Sequence, residues 1–181
     1  MRQGPKEPIL IAKMLALAEG VAEVATYERA SVGCVLTTPD LAQVLAYGYN
    51  GPASGLPNQC ARPHEVGNCG CVHAEQNACI KAGPGPKWAF ISCHPCERCA
   101  AAMVNAGVEV VFYTGDSHRE VSEGMALLDR VGIPHGTPDE LLAMMTELTE
   151  HTSSLLASAF AEEWDDDDIA AAKAQASRFA D

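Results

Sequence analysis

Basic side chains are scarce: 12 Lys and Arg stand against 24 Asp and Glu, a formal net charge of −12 over 181 residues. A chain so poor in cations opposes a polyphosphate backbone, and no basic track runs through it, so a nucleic acid polymer is not an expected partner. Long apolar runs are missing as well. No stretch approaches the ~18 residues of a membrane span, and the N-terminus lacks the pattern of a signal peptide. The expectation is a cytoplasmic protein with no membrane partner. Eight Cys would suggest disulfides in a small secreted domain. Without an export pattern, and with several Cys at metal-like spacings, thiolate ligands are the better account.

What is present is enough apolar content, 48%, for a real core, and two short stretches that complete each other. Val72-His73-Ala74-Glu75 is followed about twenty residues on by Pro95-Cys96-Glu97-Arg98-Cys99. H-x-E with P-C-x-x-C is the recognised signature of zinc-dependent deaminases. One imidazole and two thiolates leave the fourth corner of a tetrahedral zinc open to water, which suits catalysis. Attack by that water on an amine-bearing ring carbon needs a proton carrier, and Glu75 stands two residues from His73 to serve as general acid and base without being a ligand. Cys96 and Cys99, three apart, fall on one helix face, and Pro95 suits the start of that helix. Unpaired N–H groups there favour the thiolate form. Taken singly, the CxxC could be a redox pair or half of a structural zinc site, and His-Ala-Glu is weaker still.

Apolar spacing predicts a first helix over Pro8 to Ala25 and a hairpin of Ser31 to Leu36 with Leu41 to Tyr47, turning at Thr37 to Asp40. Gly and Pro then dominate to Gly70, marking a long loop. Helix follows from His73 to about Ala82, stopped by Gly83-Pro84-Gly85-Pro86. A strand (Trp88 to Ser92), a helix, a strand (Val108 to Tyr113), a helix (Glu120 to Val131) and a short strand near Ile133 complete an alternating pattern. That pattern predicts an α/β fold with helices on both faces of a central sheet. Cys34 and Cys79 fall on core faces as small hydrophobes.

The chain resembles the cytidine deaminase-like superfamily, and within it the deoxycytidylate (dCMP) deaminases, over roughly residues 9 to 136. The residues that carry this are Gly48-Tyr49-Asn50-Gly51, the run His73 to Ala78 including Asn77, Pro95 to Cys99, and Ala106-Gly107-Val108 leading to Val110 through Tyr113. The resemblance implies a three-layer αβα fold with a five-stranded mixed sheet, hydrolysis of dCMP to dUMP and ammonia, and in many members a homo-oligomer, a hexamer, regulated by dCTP and dTTP. It further implies substrate contacts from Ser31, Val32, Asn77, Ser92, His94 and Tyr113. A regulatory nucleotide, with Mg where it is a triphosphate, would lie at Gly48, Asn50 and Gly51; a turn after a strand is the plain alternative for that segment. Ser92-Cys93-His94 departs from the family's usual Thr-containing segment, in the wall facing the leaving amine.

A second departure lies in the loop. Cys60, His64, Cys69 and Cys71 are four soft ligands suited to a closed structural zinc, with Cys60 and Cys71 at positions where some family members hold one. Four unlinked side chains are the alternative. The deaminase domain is expected over residues 1–136, and residues 137–181 form a helical acidic extension packed on that domain or on a neighbouring subunit. Leu141, Met145, Leu148, Leu155, Leu156, Phe160 and Trp164 recur at helical intervals, while Asp165 to Asp168 reads as a solvated charge run. His118, Arg119 and Arg130 could meet phosphate or simply decorate a helix surface. Two other functions remain open: deamination of another base, nucleoside or modified dCMP, and a catalytically silent zinc module that binds nucleotides.

Overall fold

In a computed structural model, the described residues are 6–25, 30–57, 59–60, 62, 70–114 and 123–163. His64, Cys69, His118, Arg119, Trp164 and the Asp165 to Asp168 run lie outside them. The first compact unit is Met1–Leu141 and the second is Leu142–Asp181, a division five residues beyond the expected 136.

The first unit carries a sheet of β1 (Gly33–Thr37), β2 (Val44–Tyr49), β3 (Lys87–Ile91), β4 (Val108–Tyr113) and β5 (His135–Gly136), in the order β2-β1-β3-β4-β5. β1 runs antiparallel to both β2 and β3, while β3, β4 and β5 are parallel. This is the expected five-stranded mixed sheet. Helices α1 (Lys6–Ala22), α2 (Ala74–Ala82), α3 (Glu97–Asn105) and α4 (Glu123–Val131) surround it. The pleat sends alternate residues to opposite faces. Cys34, Leu36, Ala89, Ile91, Val111 and Tyr113 share a cluster with Ala74 and Ala78 of α2, Ala100 and Met103 of α3 and Leu128 of α4. Gly33, next along β1, points the other way: a Cβ there would meet the Ala18 carbonyl of α1 at 1.9 Å. With both faces covered, β1 and β3 are buried along their whole length.

Several boundaries differ from expectation, three of them for an evident local reason. β2 begins at Val44 rather than Leu41, because the Asp40 carboxylate accepts hydrogen bonds from the Thr38 hydroxyl and the Ala42 N–H, and Leu41 takes φ 59°. Gly48 and Tyr49 close β2 instead of forming a turn, and Gly51 then bridges Val72. The last strand falls at His135–Gly136, since Ile133 donates to the Leu128 carbonyl and finishes the end of α4.

The final helix, α5 (Pro138–Glu163), spans most of the stretch where helical spacing was expected. Its start is set by Thr137 and Glu140: the Thr137 N–H and hydroxyl both donate to Glu140 Oε2. Leu141 is buried in the first unit, whereas Leu155 in the second is 58% exposed. Among the described residues no helix is long and apolar enough to cross a membrane.

Candidate metal centre

Two helix starts converge on one point. His73 is the N-cap of α2 and Cys96 the N-cap of α3, both with extended backbone. Cys96 therefore stands just before the helix rather than on its face, and Cys99, in the first turn, reaches back beside it. His73 Nδ1 lies 3.5 Å from Cys96 Sγ and 3.3 Å from Cys99 Sγ, and all three ligand atoms fall within 4.8 Å of one another. Bonds of about 2.05 Å to nitrogen and 2.3 Å to sulfur at tetrahedral angles separate nitrogen from sulfur by roughly 3.5 Å. The three side chains thus fit zinc without rearrangement, and their donor set is the borderline-soft one that zinc selects.

The electrostatics agree with that fit. The bond from the Cys99 thiol, together with the neighbouring imidazole, pulls Cys96 down to about 3, and the same sharing plus burial pushes Cys99 up. Zinc bound by two sulfurs and an imidazole would displace the thiol protons. Glu75 is 3% exposed and hydrogen-bonds to Cys99. Burial raises its carboxyl above the ordinary carboxylate range.

The surrounding residues expected to meet substrate are held by the fold. Ser92 exchanges backbone and side-chain bonds with Gly33: its N–H donates to the Gly33 carbonyl, and its Oγ accepts the Gly33 N–H at 3.0 Å. Its carbonyl accepts from the Thr114 hydroxyl at 2.8 Å. His94 and Tyr113 meet edge to face, with ring centroids 4.5 Å apart. Ser31 is exposed and Val32 half-buried. The Asn77 amide donates to the Tyr49 carbonyl at 2.9 Å, tying α2 to β2.

At the GYNG segment, Asn50 works as a backbone bracket. Its Oδ1 accepts the Val32 N–H and its Nδ2 donates to the Ala30 carbonyl, both at 2.8 Å. Gly48 is needed for packing, because a Cβ there would sit 2.2 Å from the Ala74 carbonyl. Gly51 is buried, and no Cβ clash requires it to be glycine. Of the four loop ligands, Cys60 and Cys71 are half-buried, and His64 and Cys69 are outside the described residues.

Sequence reasoning missed two supports of this centre. Gln76 Oε1 accepts the His73 N–H at 3.2 Å, fixing the backbone of a ligand; a Gln three residues after a helix cap is a readable signal. Gly124 of α4 lies against the Pro95 carbonyl, where a Cβ would stand 2.2 Å away, and no local pattern announces that approach.

The family model described as "Cytidine and deoxycytidylate deaminase zinc-binding region" matches residues 10–114. Deoxycytidylate deaminase of Schizosaccharomyces pombe is 34% identical over 118 residues, 56% of this chain and 35% of that protein. ComE operon protein 2 of Bacillus subtilis is 29% identical over 107 residues, 50% of this chain and 51% of that one. The chain therefore spans about a third to a half of the length of these curated relatives. The crystal structure of dCMP deaminase from cyanophage S-TIM5 in complex with dCMP and dUMP superposes with a TM-score of 0.60 at 28% identity, covering 75% of this chain and 99% of that one.

Proposed function

Because the chain belongs to the cytidine and deoxycytidylate deaminase zinc-binding family, we propose that it hydrolyses dCMP to dUMP and ammonia. The observation that carries this reading is the buried Glu75 beside a His73, Cys96 and Cys99 cluster of tetrahedral dimensions. The names of the Schizosaccharomyces pombe relative and of the phage enzyme support the nucleotide.

His73, Cys96 and Cys99 would hold the zinc. When bound, it supplies Lewis acidity and makes water a nucleophile at neutral pH. Glu75 takes the proton of the attacking water and passes it to the ring nitrogen next to the amine-bearing carbon. It then carries a second proton from the new hydroxyl to the departing amine, so that water is consumed and ammonia released. Ser31, Val32, Asn77, Ser92, His94 and Tyr113 orient the nucleotide, chiefly through the backbone of the first two and the aromatic edge of the last two.

Glu75→Gln is expected to retain zinc while losing turnover by roughly 10²- to 10⁴-fold, and Cys99→Ala to lose zinc as well. Ammonia release from a panel of cytosine bases, nucleosides and monophosphates, with metal content measured on the same samples, checks both. Full activity in the glutamine variant overturns the assignment of Glu75. Zinc retention with nucleotide binding but no ammonia from any member of the panel favours the silent module.

A second, structural zinc on Cys60, His64, Cys69 and Cys71 belongs to the same reading, supported by the half-buried pair Cys60 and Cys71. It requires two metal equivalents per chain, and one equivalent removes it. Thiolate ligands of this kind suit a reducing compartment such as the cytoplasm. A homo-oligomer is supported by exposed Val44, Leu45, Tyr47 and Ile80 on β2 and α2; a monomer in sedimentation at working concentration excludes it. Regulation by dCTP or dTTP, with Mg, at Gly48, Asn50 and Gly51 would act through backbone, since the Asn50 amide is already engaged. Unchanged dCMP saturation curves with either triphosphate exclude that.

A further inference from the structure

Behind the edge-to-face pair of His94 and Tyr113 runs a line of hydrogen bonds that deamination chemistry does not by itself explain. The Tyr113 hydroxyl lies 3.3 Å from His135 Nδ1, and His135 Nε2 lies 3.1 Å from Asp129 Oδ1. A carboxylate only accepts, so Nε2 carries the hydrogen toward Asp129, and in the tautomer this selects Nδ1 is the acceptor of the Tyr113 O–H. The His135 side chain is 9% exposed, whereas Asp129 is 74% exposed. Such a solvated partner adds little stability, but it selects one tautomer of the imidazole in front of it.

The three residues come from different elements. Tyr113 ends β4, Asp129 sits in α4, and His135 opens β5, where it pairs with Val111. β3 and β4 run parallel, with Ile91 beside Tyr113, so the chain leaving β3 through Ser92 and His94 passes along the tyrosine before reaching Cys96. Glu140 is close enough to His94 and His135 for both to act on its carboxyl. His135 and Asp129 lie outside residues 10–114, the stretch that the family model matches.

We infer that His135, oriented by Asp129, is a positioning residue: it fixes the Tyr113 hydroxyl and thereby the His94–Tyr113 wall against a heteroaromatic base bound beside Cys96. The inference rests on the proposed deamination for its substrate. Rotation of a phenol ring about χ2 does not move its hydroxyl off the ring axis, but tilting the whole ring does, and a bond at the hydroxyl is the lever that prevents tilt. The pair's edge-to-face contact then transmits that constraint to His94.

The test is a set of His135 variants assayed for ammonia release with zinc content on the same samples. His135→Ala is expected to lower kcat/KM about tenfold, the equivalent of one lost hydrogen bond, at unchanged zinc. His135→Asn, whose Oδ1 takes the place of Nδ1, keeps most of the activity, whereas His135→Gln, which mimics Nε2, does not. In a Tyr113→Phe background, which lacks the hydroxyl, His135→Ala costs nothing more. Wild-type activity in His135→Ala, equal behaviour of Asn and Gln, or a full additional loss in the Phe background each overturns the inference. Should the alanine variant not fold, the Asn and Gln pair carries the comparison. The link is also read without turnover, from the 13C chemical shift of the Tyr113 ring in labelled protein. A shift unmoved by His135→Ala defeats the inference, while absence of ammonia from wild type defeats the proposed deamination alone.

Discussion

Thr37 and Lys87 show how differently two buried polar groups can be treated by one sheet. The Lys87 side chain is almost wholly enclosed, yet its ammonium donates to the Gly85 and Ala106 carbonyls, tying the loop before β3 to the end of α3. The Thr37 hydroxyl, equally enclosed, has no hydrogen-bond partner among the described residues. An unpaired buried hydroxyl carries its desolvation cost with no return, so the isosteric Thr37→Val is expected to raise stability by about 1 kcal/mol. Denaturant unfolding reads this, and a loss of stability would mean that the hydroxyl has a partner. Neither role was legible beforehand. A lysine ordinarily marks an exposed position, which is why the strand was expected to start at Trp88, one residue late.

At the level of elements, the helices and strands were readable from apolar spacing, β-rich runs and the Gly and Pro stops between them, and the metal ligands because two motifs combine. What could not be read were contacts between elements distant in sequence. Asn50 brackets Ala30 and Val32 from 18 to 20 residues away, and side-chain bonds to backbone at such separations leave no periodic trace. Gly124 is the clearest case. In a helix interior Gly→Ala is worth up to about 1 kcal/mol in favour of alanine. Here the new methyl would press on Pro95 and Cys96, with distances of 2.2 Å to the Pro95 carbonyl oxygen and 2.8 Å to the Cys96 carbonyl carbon. Overpacking against backbone costs roughly 1–3 kcal/mol or more, so the sign reverses. Gly124→Ala is expected to destabilise the protein and to weaken zinc retention against a chelator, because the displaced segment carries a ligand. Unchanged retention would show that α4 does not set the position of Cys96.

For the whole molecule, the charge of −12 would, under the proposed function, meet a substrate that is itself an anion. Two like-charged bodies repel, and the repulsion reaches about 30 Å at 0.01 M salt but only about 8 Å at 0.15 M. Under the proposed function, kcat/KM for dCMP should therefore rise a few-fold between those ionic strengths, while that for the uncharged nucleoside stays flat. A fall for dCMP would instead reveal a local basic pocket that outweighs the overall field.

Finally, His73 and Cys96 are 23 residues apart and His73 and Cys99 are 26 apart, so one ion held there would join segments that the unfolded chain lets wander. By the chain-entropy estimate used for disulfides, closing a span of that size is worth on the order of 3 kcal/mol. The α2–β3–α3 segment is in this sense a clasped ring. Its cohesion is borrowed from the same ion that the proposed chemistry needs, so losing the ion would loosen the fold and silence the site together.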